Sequence, residues 1–425
     1  MDKSTNTVNK FILVFIAIQP IMDILTTFTL SFPISVGSLL RTLFMSVLFI
    51  TLFICFSHKN KKKNFTLMIM AFSGVLVSFI INLLLKSHFN WIWELNFYLK
   101  VSYFLVIIFA VLYVNERNCV STRTLYTATT ITSYIVGCTY WMAVLTNTSI
   151  NSYRYDTSGY SGWFFSANEL SAITLILFGL MSIQLIQKKQ LAHWFAYIII
   201  LSMLPMIGTK TAFIGGLVLI SITIAYILWK LRLKIWRDWH AIAFIMIIFL
   251  FACFIPYTSI GNNSPPENHV SPTQNELKAN SELEALSTYE LLSQKILSSR
   301  DIYFAEIKKD YLHAHILRKI FGLGYAGDYQ NEPKLIEMDF FDLFFSLGII
   351  GSLFAMLPLI FLVKHLIFKK PYFEIKYLLL FTIVGLSVGI AFLAGHVLFA
   401  PSAMTYLSIP LMLIGGHKNE QTQTS

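Results

Sequence analysis

Apolar runs of about 20 residues recur along this chain from Phe11 onward, separated by short polar connections. That is the length a helix needs to cross a hydrocarbon core of about 30 Å. The pattern predicts twelve membrane helices at roughly 11–31, 35–57, 65–86, 96–115, 124–147, 169–187, 194–208, 211–230, 240–257, 340–363, 376–395 and 398–415. The first run is too long for a signal-peptide core and lacks a small-residue cleavage site, so it reads as a retained span. One long interval breaks the rhythm. From Gly261 to about Leu286 the chain is polar, with Pro265, Pro266 and Pro272 among many Asn, Ser and Glu residues, and it reads as a linker. From about Thr288 a helical period takes over: Ile302, Tyr303, Ile307, Tyr311, Leu312, Ile316 and Ile320 recur at three- and four-residue spacing until Gly322 and Gly324 end the run. The expected architecture is an all-α polytopic membrane protein. Nine helices lie within 1–257, one large helix-containing loop over 258–339 (linker 258–287, helical part 288–320), three more helices within 340–415, and a short tail follows at 416–425.

Composition agrees. With 56% hydrophobic and 13% charged residues the chain is no ordinary soluble protein. A formal charge of +10 invites nucleic acid or acidic lipid as a partner, but its distribution gives a plainer reading. The connections on one side carry nineteen lysines and arginines, Lys61, Lys62, Lys63, Lys188, Lys189 and Lys370 among them, whereas the short connections opposite carry Lys86, Arg154 and Lys210. By the positive-inside rule both termini are cytoplasmic, the 258–339 loop lies outside, and the charge records topology rather than nucleic-acid binding. The four cysteines, Cys55, Cys119, Cys138 and Cys253, show no paired spacing, so neither disulfide nor zinc is expected.

Charges within the spans bear on function. Asp23 and Arg41 each fall roughly 9–12 Å below the outer surface at 1.5 Å per residue, deep enough to meet as a pair that fixes helix packing or lines a site. Asp23, Arg41, Lys100, Glu169, Lys210 and His396 all sit in the outer half or at the outer lip of their spans. A transporter usually places polar groups near the midplane; this distribution suits a cavity open to the outside. The loop from Asn147 to Ser166 is rich in Ser, Tyr and Gly, as sugar stacking would require, although Tyr and Trp also collect at membrane interfaces. Its Arg154 can meet an anion. Asn168 and Glu169 at the start of the sixth span either cap that helix or reach a substrate hydroxyl. Lys210, in the tight turn Gly208-Thr209-Lys210, either snorkels or contacts an anion.

The chemistry concentrates after residue 297. Ser298-x-x-Asp301 matches a capping box, which puts Arg300 in the first turn of a helix. Free N–H groups, the positive end of the helix dipole and a guanidinium fork then converge in the arrangement that binds phosphate. Next come Gly322-Leu323-Gly324-Tyr325 and the acids Glu337, Asp339 and Asp342. Mutual repulsion and nearby lipid raise the pKa of such acids, which suits a general base; a solvated acid cluster or a divalent-cation site are the other readings. Gly348, Gly351 and Ser352 offer a small-residue face for helix packing. His396, between the last two spans, can reach the same cavity or serve structure alone.

Taken together, these segments resemble the O-antigen ligase/polymerase superfamily of bacterial membrane glycosyltransferases. The resemblance rests on Ser298-Ser-Arg300-Asp301, on Phe321-Gly-Leu-Gly324, on the acid cluster leading to Gly348-Ile-Ile-Gly351, on Gly162-Trp-Phe-Phe-Ser-Ala-Asn168-Glu169 and on Gly208-Thr-Lys210-Thr-Ala212. Many relatives, ligases especially, carry a histidine eleven residues before the helix glycine, where this chain has Glu337. The departure tilts the expectation from ligase toward polymerase. The resemblance implies transfer of glycan from an undecaprenyl-diphosphate-linked oligosaccharide to a growing glycan acceptor at the outer face of the bacterial cytoplasmic membrane. A chain-length regulator or flippase would be a possible partner, and no cofactor or metal is called for. Arg300, Glu337 and Asp339 would then be catalytic. Arg154, Lys210, Asn168, Glu169, Tyr325, His396, Arg41 and Lys100 would bind substrate. A ligase acting on a different acceptor and a transporter of lipid-linked sugars are the alternatives.

Overall fold

A computed structural model describes residues 3–32, 34–57, 62–152, 159–187, 190–231, 238–262, 300–328, 334–369 and 374–416. Residues 263–287 of the expected linker, residues 288–299 of the expected helical part with Ser298 and Ser299 of the capping box, and Arg154 lie outside the described residues.

Each of the twelve expected segments is a helix: α1 Lys3–Phe28, α2 Val36–Ser57, α3 Lys62–Leu85, α4 Trp91–Arg117, α5 Thr122–Leu145, α6 Ala167–Gln187, α7 Leu191–Met206, α8 Lys210–Leu231, α9 Trp239–Phe254, and, after the loop helices α10 Arg300–His313 and α11 Ile316–Phe321, α12 Asp339–Lys369, α13 Ile375–Leu393 and α14 Pro401–Gly415. Ten of these are long and apolar enough to cross a membrane, while α7 and α14 are apolar but shorter, at 16 and 15 residues. The protein is an all-α polytopic membrane protein. One antiparallel strand pair, β1 Ile150–Asn151 and β2 Tyr160–Gly162, interrupts the helical pattern.

Local sequence sets several of the ends. Asn90 Oδ1 accepts from Ile92 N at 2.9 Å to start α4, and Ser121 Oγ accepts from Thr124 N at 3.1 Å to start α5. Helices α4 and α6 are buried on most of their surface, as expected for helices apolar all round, and form the centre of the bundle. Small residues set the closest approaches. A Cβ on Gly74 of α3 would lie 2.4 Å from the Phe354 ring of α12, and one on Gly351 would lie 2.7 Å from Ser78 Oγ. Gly215 and Gly216 likewise seat α8 against Leu175 and Leu204.

Gly348 does something else. Its φ of 66° and ψ of −168° break α12 one third of the way along, so it is a kink rather than part of a packing face. Ser352 Oγ donates across the kink to Leu343 O at 3.1 Å. The break frees carbonyls, and the Gly322–Gly324 turn uses them: Leu323 N donates to Phe345 O at 2.8 Å and Gly324 N to Ser346 O at 3.1 Å. Asn82 Nδ2 of α3 also donates to Ser346 O at 2.8 Å. Gly322 and Gly348 meet back to back, each with positive φ and no room for a Cβ.

The loop helices rest on this junction by part of the face the spacing singled out, with Phe304 added to it. Phe304, Ile307 and Tyr311 of α10 pack on Phe341, Phe344 and Phe345 of α12. Ile302, Leu312 and Ile316 stay exposed, and Tyr303 instead accepts a hydrogen bond from Lys334 Nζ at 2.8 Å. Nor is the helix continuous to Ile320. It stops at His313 and restarts at Ile316 with His315 as its cap, so Tyr311 OH can donate to Lys319 O at 2.8 Å.

Candidate active site

Two turns face one another at the Asp339 end of α12. The first carries Glu337 at φ 64°, the second, between α13 and α14, carries His396 at φ 60°. Both are side-chain-bearing residues in the left-handed region, which costs each of them energy and needs a surrounding structure to enforce it. Two carboxylates supply that structure. Asp342 accepts from Ile336 N at 2.9 Å and Met338 N at 3.0 Å, one donor on each side of Glu337. Asp339 accepts from His396 N at 2.8 Å, Val397 N at 3.0 Å and Leu398 N at 2.7 Å. Gly395 lets the turns touch, since a Cβ there would lie 2.5 Å from Glu337 O.

The acid cluster therefore divides. Asp339 and Asp342 are buried and engaged with backbone donors, whereas the Glu337 side chain is 39% exposed. Both oxygens of each buried acid are so engaged, which leaves Glu337 as the member of the cluster able to meet an outside group. In sequence the nearest base is Lys334; in space Glu337 Oε2 lies 3.2 Å from Arg300 Nη2 and 4.0 Å from His396 Nε2. Arg300 is the first residue of α10 and its side chain is only 11% exposed. The packing of Phe304, Ile307 and Tyr311 one, two and three turns further along is what brings it over Glu337. Guanidinium, carboxylate and imidazole thus converge from three separate elements.

Tyr325 is held by its backbone. Its N–H donates to Glu94 Oε2 at 2.9 Å and its carbonyl accepts from Lys86 Nζ at 2.7 Å, while Lys86 and Glu94 pair with one another at 2.6 Å. The Tyr325 ring rests near Trp93 and Phe97 of α4. Arg318 tightens the same turn, donating from Nη2 to Asp328 Oδ1 at 2.8 Å and to Leu323 O at 3.1 Å.

Of the remaining sequence candidates, Arg41, Lys100 and Glu169 gather elsewhere. A cavity of about 450 Å³ between α1, α2, α4, α6 and the start of α14 is lined by Asp23, Arg41, Lys100 and Glu169. Arg41 and Asp23 form the ion pair that their matched depths implied, with Arg41 Nε also donating to Gln19 Oε1 at 3.4 Å. Glu169 accepts from Ser402 Oγ at 2.7 Å. Asn168 is half-buried beside Glu169 but does not line the cavity. Lys210 is exposed at the first position of α8, outside the cavity.

Sequence reading missed Glu94, Asn82 and Ser402, and counted Lys86 for topology alone. One signal was present: an acid in the first turn of α4, eight residues after a lysine just past the end of α3. Asn82 and Ser402 carried none, because their partners are distant in sequence.

Fold and site define a multi-pass helical membrane protein with a guanidinium–carboxylate–imidazole centre where α10, α12 and the α13–α14 turn meet. A family model for "O-antigen ligase like membrane protein" matches residues 5–265 and 261–415. The chain belongs to that family, which makes it a membrane enzyme of glycan assembly, of glycosyltransferase type, with a lipid-linked glycan as substrate. No curated protein and no solved structure matches the chain.

Proposed function

We propose that the protein polymerises diphosphate-lipid-linked oligosaccharide repeat units into a surface or capsular polysaccharide at the outer face of the cytoplasmic membrane. The observation that carries this reading is the contact of Arg300 and His396 with one accessible carboxylate, Glu337. The charge asymmetry of the connections supports the outer face.

In this reading Arg300 holds the undecaprenyl diphosphate of the donor. An arriving diphosphate competes with Glu337 for the guanidinium, because both present oxygen pairs that match its fork. Binding of donor then frees the Glu337 carboxylate to act as base. The acceptor hydroxyl attacks the anomeric carbon and passes its proton to Glu337. The bond from that carbon to the diphosphate oxygen breaks, and the electron pair leaves on the diphosphate, where Arg300 stabilises the growing charge. A single displacement inverts the anomeric centre. His396 lies close enough to hydrogen-bond Glu337 or the acceptor through a small rearrangement, and Asp339 positions it. Lys210 and Arg154 remain candidates for assisting with the diphosphate.

The test is reconstitution of purified protein with lipid-linked repeat units and gel analysis of the glycan. A ladder of lengths supports the polymerase. One transfer to a different acceptor, without a ladder, makes the protein a ligase and overturns that part of the reading. Arg300→Ala and Glu337→Gln in well-folded protein are expected to abolish the ladder; unchanged turnover in either defeats the site assignment.

A further inference from the structure

Away from the Glu337 site, a pocket of about 100 Å³ lies among the last turns of α6 and α8 and the first turns of α7 and α9. Its volume suits a polar head rather than a whole ligand, which usually needs at least about 300 Å³. The lining is ordered along the helices. Lys230, one residue before the end of α8, and Asp238, the N-cap of α9, stand at the rim. Exposed Trp229 and Trp239 adjoin them in sequence, and indole rings collect at the headgroup level of a bilayer. Within one to two turns the wall becomes apolar, with Ile227 of α8 and Ala241 and Phe244 of α9. Ile245 and Phe249 continue the Ala241 stripe at four-residue spacing and are 39% and 67% exposed. A molecule seated here has its polar part at the interface and its apolar part toward the bilayer centre, the order found in a phospholipid.

Specific contacts shape the pocket. The His240 ring lies 3.6 Å from that of Trp239 and 6.3 Å from that of Trp194, centroid to centroid, which makes one wall aromatic. Asp238 Oδ1 accepts from His240 N at 3.1 Å, which fixes the carboxylate beside that wall. Phe244 packs on Trp194 and Tyr197 and so joins α9 to α7, while Tyr226, Ile227 and Lys230 of α8 supply the opposite wall. Lys230 Nζ lies 5.5 Å from the centroid of the Tyr226 ring, an attraction that keeps the ammonium at the rim.

Charge narrows the occupant. The flanking connections, 188–190 and 231–238, carry Lys188, Lys189, Arg232, Lys234 and Arg237 in sequence against the single acid Asp238. Such a basic surround draws an anionic headgroup, and the positive-inside rule assigns it to the inner leaflet. A phosphodiester can meet Lys230, and a headgroup with hydroxyls can donate to Asp238. Phosphatidylglycerol offers both, whereas phosphatidylcholine has neither a net negative charge nor a headgroup donor.

We propose that this pocket binds an anionic phospholipid of the phosphatidylglycerol type, with its phosphate on Lys230, its headgroup hydroxyls on Asp238 and one chain along Ile245 and Phe249. The lipid bridges α8 and α9, and its site is separate from the chemistry of glycan transfer.

Native mass spectrometry of the full-length protein in detergent, titrated with dioleoylphosphatidylglycerol, tests the site. The wild type is expected to bind a first molecule about tenfold or more tighter than dioleoylphosphatidylcholine, and Lys230→Met to lose that preference with the loss of one charge-assisted hydrogen bond. Ala241→Trp, which fills the pocket without removing charge, is expected to lose it as well. Lys230 is exposed, so Lys230→Met keeps the fold and decides the matter if Ala241→Trp does not. Lys376→Met is the control: Lys376 lies 5.6 Å from the Tyr377 ring centroid at the start of α13, outside the pocket, and this variant is expected to bind as the wild type does. Equal binding of the two lipids by the wild type, or an equal loss in Lys376→Met, leaves only the general attraction of a basic face for lipid and overturns the site. Retention of the preference by either folded pocket variant overturns it too. Displacement of the lipid by equimolar glycerol 1-phosphate makes the pocket a site for free phosphate esters, which also defeats the proposal.

Discussion

Glu337 and His396 face one another from two turns that both adopt left-handed backbone, with His396 Nε2 4.0 Å from Glu337 Oε2. Neither turn holds itself. Asp342 secures the N–H groups on both sides of Glu337, and Asp339 secures three consecutive N–H groups beginning at His396. Of three neighbouring acids, Glu337 therefore stays accessible while Asp339 and Asp342 hold the two turns.

The left-handed backbone at Glu337 makes a prediction about stability that is independent of activity. A side chain with a Cβ costs about 1–2 kcal/mol in this conformation, and glycine avoids that cost. Glu337→Gly is therefore expected to be more stable than Glu337→Ala by about 1 kcal/mol, although both lose glycan transfer. Thermal unfolding in detergent checks this. Equal melting temperatures mean that the turn relaxes and carries no strain.

Asp339 should behave as a positioning residue. Asp339→Ala leaves three buried N–H groups without their acceptor, at about 1–3 kcal/mol for each that water cannot reach. Asp339→Asn keeps one acceptor oxygen and is expected to be intermediate. For protein that remains folded, kcat for transfer should fall while KM for the lipid-linked donor stays near the wild-type value, because Arg300 is untouched. A donor KM that rises with unchanged kcat places Asp339 at the substrate instead.

How far the sequence revealed this depends on distance along the chain. Hydrophobic runs are local, and all twelve appear as helices near their expected positions. Asp23 and Arg41 could be paired because depth in a span is a coordinate readable from sequence. Arg300 and Glu337 stood out as types, but the contact between them depends on which face of α10 meets α12. The spacing there grouped Ile302 and Leu312 with Ile307 and Tyr311, and of these Ile307 and Tyr311 join Phe304 in the aromatic cluster on α12 while Ile302 and Leu312 stay exposed. The different roles of Glu337, Asp339 and Asp342 were not legible at all, since Asp339 is engaged by backbone donors on the α13–α14 turn more than fifty residues away and Asp342 by the N–H groups of a turn whose left-handed backbone the sequence does not announce. Gly348 read as a packing residue because small residues in membrane helices usually are; its kink becomes apparent only with Gly322 docked against it.

Close approach at Gly395 can be tested against its own helical neighbours. Gly395→Ala places a Cβ 2.5 Å from Glu337 O at a φ of 61°, so it must push the two turns apart. Transfer is expected to be lost, with a destabilisation of roughly 1–2 kcal/mol or more from the backbone alone. Gly385 and Gly389 of α13 have nothing within 4 Å of an added Cβ. Gly385→Ala and Gly389→Ala should be neutral in transfer and stabilising by up to about 1 kcal/mol through helix propensity. Initial rates and melting curves of the three variants together decide it. Normal transfer by Gly395→Ala would show that contact between the turns is dispensable.

The buried Lys86–Glu94 pair separates stability from function in the opposite direction. Their side chains are 1% and 3% exposed, and each also bonds the backbone of Tyr325, so one pair fixes the glycine turn to α4. Lys86→Met alone strands a buried carboxylate and Glu94→Met alone strands a buried ammonium; each is expected to cost about 3–5 kcal/mol. The double variant removes both charges and should recover most of that loss, since a buried ion pair replaced by apolar side chains of similar size is often close to neutral. Activity should not recover with it. Without the two bonds the Tyr325 backbone is released, and the turn that docks on the α12 kink beneath α10 loses its tie to α4. A double-mutant cycle measured by both thermal unfolding and transfer rate is therefore expected to show strong coupling in stability and almost none in activity. If transfer returns together with stability, the pair serves the fold alone and the glycine turn needs no tie to α4.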